Sequence, residues 1–218
     1  MESKVKAILE YSIPKTVRAL QRFLGAVNFY HQFIPMAADI AIPLYQVIDG
    51  PKCKTIKCNS KLDAAFTKIK QSLAKRALLN HPISEAPLAV TSDASYTAMG
   101  AVLEQFNNRH WEPLAFFSRQ FKGAEKSYAT FDKELTGVFT ALKHFKYSLE
   151  GRRFRIFTDH KPILAALNKK SEPTSGRQAR QLSAIAEMTS DIEHISGKKT
   201  SWRTLYQELT KSTNQNTK

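Results

Sequence analysis

No stretch of this chain approaches the ~20 consecutive apolar residues that a membrane-spanning helix needs, so no membrane partner is expected. The first residues, Met-Glu-Ser-Lys-Val-Lys, lack the apolar core of a secretory signal. These two absences lead to the expectation of an intracellular protein, without separating cytoplasm from nucleus. Cysteine is scarce as well: Cys53 and Cys58 are the only two. With no second ligand pair near them, this spacing argues against a zinc site. The chain also has no internal repeats.

Acidic residues are the other shortage. Nineteen Asp and Glu stand against 33 Lys and Arg, a formal net charge of +14. An excess of that size favours a polyanionic partner. It is concentrated between Lys143 and Arg180, where ten basic residues meet only Glu150, Asp159 and Glu172. A charge run is often just a solvated face. Here Phe145, Tyr147, Phe154 and Phe157 are interleaved with it, which points instead to contact with a phosphate backbone. Lys146, Arg152, Arg153, Lys161, Lys169, Lys170, Arg177 and Arg180 are the candidate nucleic-acid-binding residues.

The 42% of hydrophobic residues suffices for a sizeable core in one or two domains. Residues 1–80 carry a helical pattern. Thr16 is placed to cap a helix whose apolar residues Val17, Leu20, Phe23, Leu24, Val27 and Phe33 recur at helical spacing, with an end expected at Phe33-Ile34-Pro35. Pro43 is expected to divide the next stretch. Asn59 or Ser60 can cap a further helix with Leu62, Phe66, Ile69 and Leu73 on one face.

From Leu88 the pattern changes to short strands, expected at Leu88–Ser92, Met99–Leu103 and Trp111–Ser118, with a turn at Asn107-Asn108-Arg109. A long helix is expected over Thr130–Leu149, with Phe131, Leu135, Val138, Phe139, Leu142, Phe145 and Leu149 on one face. Then follow a strand at Phe154–Thr158, a short helix opened by His160-Lys161-Pro162, a basic helix at Gly176–Met188 and a strand at Ile192–Ile195. The tail from Lys211 is polar and expected to be disordered.

Three carboxylates occupy related places in this order. Asp93 lies at the end of the first strand, Glu134 on the first turns of the long helix, and Asp159 at the end of the fourth strand. Asp93-Ala-Ser can be a plain turn former, and Glu134 an ordinary exposed helical residue. However, a helix that crosses over from three antiparallel strands brings the fourth strand parallel beside the first. Both strand-end Asp residues then enter one crevice with the Glu above it. That is a hard-oxygen set suited to Mg²⁺ or Mn²⁺. Two such ions can activate a water and stabilise the leaving oxygen of a phosphodiester.

Specific strings carry a resemblance: Thr-Ser-Asp-Ala-Ser (91–95), Gly-Ala-Val-Leu (100–103), Leu-Ala-Phe-Phe-Ser-Arg (114–119), Phe-Asp-Lys-Glu-Leu (131–135), Thr-Asp-His-Lys-Pro (158–162) and Ile-Ser-Gly-Lys-Lys (195–199). The chain resembles the ribonuclease H domain of reverse transcriptases from gypsy-type LTR retrotransposons. Residues 1–80 resemble the thumb and connection segment before that domain, through Arg-Phe-Leu-Gly-Ala-Val-Asn-Phe-Tyr (22–30) and Phe-Ile-Pro (33–35). The resemblance implies an α/β fold with a five-stranded mixed sheet and flanking helices. It implies a helical unit at 1–80, an RNase H-like unit at 81–198 and a divergent tail at 199–218. It also implies Asp93, Glu134 and Asp159 as catalytic ligands of two divalent ions, and an RNA–DNA hybrid as partner.

Two departures qualify it. The Tyr-x-Asp-Asp polymerase turn of the family occurs nowhere in the chain; fingers and palm would lie upstream, and this chain is not expected to polymerise alone. After the Gly-Lys-Lys loop the family reads Asn-x-Val-Ala-Asp-x-Leu-Ser-Arg, whose Asp is the fourth metal ligand. Here that position is Thr204. One permitted codon choice for Lys199 to Glu208, AAA ACG TCG TGG CGG ACA CTC TAT CAA GAA, reads two bases later as Asn-Val-Val-Ala-Asp-Thr-Leu-Ser-Arg. The expectation is therefore a chain out of frame from about Lys199. Either it is an impaired hybrid nuclease, or it is a non-catalytic nucleic-acid-binding remnant of a decayed element.

Overall fold

A computed structural model describes residues 8–50, 56, 60–74, 79–168, 173, 175–189 and 191–195. The first part is helical: α1 (Val17–Phe29), a 3-10 turn (His31–Phe33), α2 (Ala37–Asp49) and α3 (Ser60–Ala74). Thr16 caps α1, its hydroxyl accepting from the Ala19 amide. The apolar stripe Leu20, Phe23, Leu24 and Val27 is buried against Ile40, Leu44, Phe66, Ile69 and Leu73. Two expectations are corrected here. The first helix stops at Phe29, and Phe33 belongs to a separate 3-10 turn. Pro43 does not divide the next stretch but lies inside α2. A proline there leaves the Asp39 carbonyl without its helical donor, at a cost of about 3 kcal/mol. Burial of Ala37, Ala38, Ile40, Ala41 and Leu44 around it offsets that cost.

The second part is a sheet of β1 (Leu88–Ala94), β2 (Ala98–Asn107), β3 (His110–Gln120), β4 (Phe154–Thr158) and β5 (Ile192–His194), in spatial order β3-β2-β1-β4-β5. The first three strands form an antiparallel meander; β4 and β5 run parallel to β1. This is the mixed five-stranded sheet expected from the sequence. The β2–β3 hairpin closes on Asn108 and Arg109, both with positive φ, at 48° and 69°. Turns of that kind match the twist of the strands they join.

The connection from β3 back to β4 runs through α4 (Thr130–His144) and α5 (Lys146–Leu149). The expected single helix is broken at Phe145. Its apolar stripe still runs through the break, because Phe145 and Leu149 are buried in the same cluster as Leu135, Val138 and Leu142. Helices α6 (Lys161–Leu167) and α7 (Gly176–Met188) complete that layer over Leu88, Val90 and Ile156. On the opposite face of the sheet, Met36 packs against Val102 and Phe116. The sheet thus lies between its own helices and the N-terminal helical segment.

His31 sits at that second junction, its Nε2 3.3 Å from Ser118 Oγ in β3. Burial first, and His144 second, hold its pKa below the ordinary value; burial does the same to His144. Both imidazoles are harder to protonate folded than unfolded. As pH falls through about 6.5 the unfolded chain therefore takes up more protons than the folded one. The stability tied to these neutral imidazoles is complete above that pH and is lost below it. Thermal unfolding should shift to lower temperature between pH 7.5 and 5.5, and His31→Gln should flatten the dependence. Parallel profiles for the two proteins would count against this assignment.

Candidate metal centre

Asp93 is the sixth residue of β1, and its cross-strand partner in β2 is Gly100. In the parallel β1–β4 pair Thr91 faces Phe157. Two residues further in the same register, Asp93 comes beside Asp159, just past the end of β4. Neighbouring strands lie about 4.8 Å apart, so the topology alone brings the two side chains together. The His160 amide donates to Thr158 Oγ1 at 3.1 Å, which fixes the chain as it leaves β4. Glu134 is the fifth residue of α4 and is buried, at 5% exposure.

Asp93, Glu134 and Asp159 each offer a carboxylate oxygen within 4.8 Å of the others'. Asp93 and Glu134 are buried and Asp159 half-buried. Carboxylates so close repel one another, and burial weakens their solvation. A divalent cation offsets both, and an all-oxygen donor set fits a hard ion such as Mg²⁺. His160 borders the cluster, with burial lowering its pKa against the opposing pull of Asp159.

The candidate nucleic-acid residues fall into separate groups. Lys161 opens α6 two residues after Asp159 and is exposed. Arg177, near the start of α7, pairs with Asp132 of α4 at 2.9 Å and lies 3.9 Å from the centre of the Tyr128 ring. Arg180 is exposed one turn further along α7. Lys146, Arg152 and Arg153 lie before β4, at the end of that strand away from Asp159. Arg152 is occupied there, donating to the carbonyls of Ala86 at 2.6 Å and Ile83 at 3.3 Å. Lys169, Lys170 and Thr204 lie outside the described residues.

Asp191, an acid that could take the fourth-ligand place the resemblance implies, is paired with Arg155 at 3.1 Å. It precedes β5 and so sits far down the strands from Asp159. Sequence reasoning missed Lys133, which is buried beside Glu134 at 7% exposure. Its Nζ donates to the Tyr96 carbonyl at 3.2 Å and stands 4.3 Å from the Tyr96 ring centre, tying α4 to the β1–β2 turn. A lysine within a helical stripe gives no sign of such a partner.

Residues 58–156 match the family described as the RNase H-like domain found in reverse transcriptase. The Retrovirus-related Pol polyprotein from transposon 297 of Drosophila melanogaster is 37% identical over 200 residues, covering 91% of this chain and 18% of the polyprotein. The chain therefore spans less than a fifth of that relative. Among solved structures, the foamy viral protease-reverse transcriptase dRH in complex with double-stranded DNA superposes with a TM-score of 0.75 at 21% identity, over 92% of this chain and 35% of that one. The foamy viral protease-reverse transcriptase in complex with an RNA/DNA hybrid superposes with a TM-score of 0.70 at 22% identity, over 92% and 27%.

Proposed function

The chain belongs to the retrotransposon reverse transcriptases and carries their RNase H-like domain, and from that premise we propose that it is built to hydrolyse the RNA strand of RNA–DNA hybrids. The observation that carries this reading is the convergence of Asp93, Glu134 and Asp159 at the end of two parallel strands. These three side chains would hold the divalent ions, two in an intact site. Bound there, the ions would supply an activated water and stabilise the leaving oxygen. Asp93 and Asp159 are set by neighbouring strands and Glu134 by a packed helix, so their spacing needs little rearrangement on ion binding. Lys161 and Arg180 are exposed for contact with the hybrid's phosphates, which would be read by shape rather than by sequence.

Turnover is expected to be impaired, because the sequence carries Thr204 at the position of the family's fourth carboxylate. Its neutral hydroxyl cannot replace that charge. The same observation supports a second reading, a nucleic-acid-binding module with no turnover.

Manganese binding followed by paramagnetic resonance, together with hybrid binding across a salt series, tests the proposal. Mn²⁺ should bind, and hybrid affinity should fall steeply with salt as released counterions dominate the contact. Lys161→Glu should weaken binding to all hybrid sequences alike. A chain that takes up no Mn²⁺, or binds hybrid independently of salt, would overturn the reading.

A further inference from the structure

We propose that Asp39, on the N-terminal helical segment, is a positioning residue for the carboxylate cluster; this rests on the ion-binding reading above. Asp39 Oδ1 accepts from Thr97 Oγ1 at 2.8 Å and from Ser95 Oγ at 3.3 Å. These two residues form the β1–β2 turn that begins two positions after Asp93. Thr97 is the firmer donor, since Ser95 has one hydroxyl proton and the Ala98 carbonyl, 2.9 Å away, competes for it. Ser95 Oγ also accepts from the amides of Thr97 and Ala98, at 3.2 and 2.9 Å, which makes the turn compact. A carboxylate 58 residues away thus fixes the hairpin that carries Asp93.

The contact is part of a larger seat. The Ala38 amide donates to Ser118 Oγ at 3.0 Å, and the Ala38 carbonyl accepts from Gln120 Nε2 at 3.2 Å. Met36 Sδ lies 2.5 Å from where a Cβ on Gly100 would stand, and Gly100 is the cross-strand partner of Asp93. Only a residue without a side chain lets Met36 come so near. Met36 itself has a φ of 51°, a strained conformation that persists where surrounding contacts hold it. Residues 36–39 therefore grip β2, β3 and the turn after β1 together.

The plain alternative is that Asp39, in the first turn of α2, only complements the helix dipole. Asp39→Asn separates the two, because it removes the charge and keeps the acceptor oxygen. In the full chain, Asp39→Ala should weaken Mn²⁺ binding about tenfold, the low end for groups that orient metal ligands, while Asp39→Asn should stay within about twofold of the wild type. Hydrogen exchange at the Thr97 and Ala98 amides should quicken in Asp39→Ala and not in Asp39→Asn. Wild-type Mn²⁺ affinity in Asp39→Ala would overturn the positioning role and leave the ion site standing. Equal losses in both variants would assign Asp39 to the helix dipole. A wild-type chain that binds no Mn²⁺ would overturn the ion site and the positioning role with it; the exchange rates would then report only whether the turn is clamped.

Discussion

Replacing residues 200–208 by Asn-Val-Val-Ala-Asp-Thr-Leu-Ser-Arg should raise cleavage of RNA–DNA hybrid by orders of magnitude over the chain as it stands. A two-ion reaction needs both ions held while charge develops on the attacking and leaving oxygens. Three carboxylates converge on the site, and Thr204 would contribute no charge to it. The structure removes one substitute, because Asp191 is paired with Arg155 at the other end of the strands. Thr204→Asp alone should recover part of the gain, since it restores the charge without the rest of the family's string. Asp93→Asn in the restored chain should abolish cleavage. Hybrid hydrolysis with a labelled RNA strand measures all of these, and equal rates for original and restored chains would end the fourth-ligand argument.

Leu135→Ala should lower the stability of the folded chain by about 2–5 kcal/mol, the range for deleting a fully buried leucine. Leu135 has no exposed surface and packs among Val90, Val138 and Ile156. For a chain of this length such a loss lowers the melting temperature by on the order of 10 °C. Phe29→Ala, at a side chain 68% exposed, is the control and should shift stability by only about 0.5 kcal/mol. Calorimetric unfolding distinguishes them, and similar melting temperatures would mean that the cavity collapses without cost. Because Leu135 adjoins Glu134, the variant should also loosen a carboxylate of the cluster.

Much of this architecture was legible from periodicity. Strands β1 to β3 and β4 alternate or run apolar between turn residues, and the α4 stripe shows its buried face plainly. The placing of the carboxylates needed one further step, the crossover that makes β1 and β4 parallel. What could not be read was tertiary. Pro43 reads as a breaker because its local cost is plain, whereas the burial that offsets it comes from helices elsewhere. The break at Phe145 leaves the stripe unchanged and so is silent in the pattern. Arg152 and Arg177 look like free cations until Ala86 and Asp132 are brought beside them. Asp39 lies too far from Thr97 along the chain for any local rule to connect them.

The parallel pairing of β1 with β4 also bears on how the chain folds. The meander from β1 to β3 is local and can close within one stretch of about thirty residues, whereas β4 must return past α4 and α5 to reach β1. Contacts that span long stretches of chain form late, because the loop entropy precedes the reward. Asp93 therefore reaches its place with the early hairpins, and Asp159 arrives only when the crossover closes. This crossover pairing brings together carboxylates that repel each other, so a divalent ion in solution should speed that closure. A chain folding during synthesis would then bring its three carboxylates together in one event, after the β1–β3 meander is already standing.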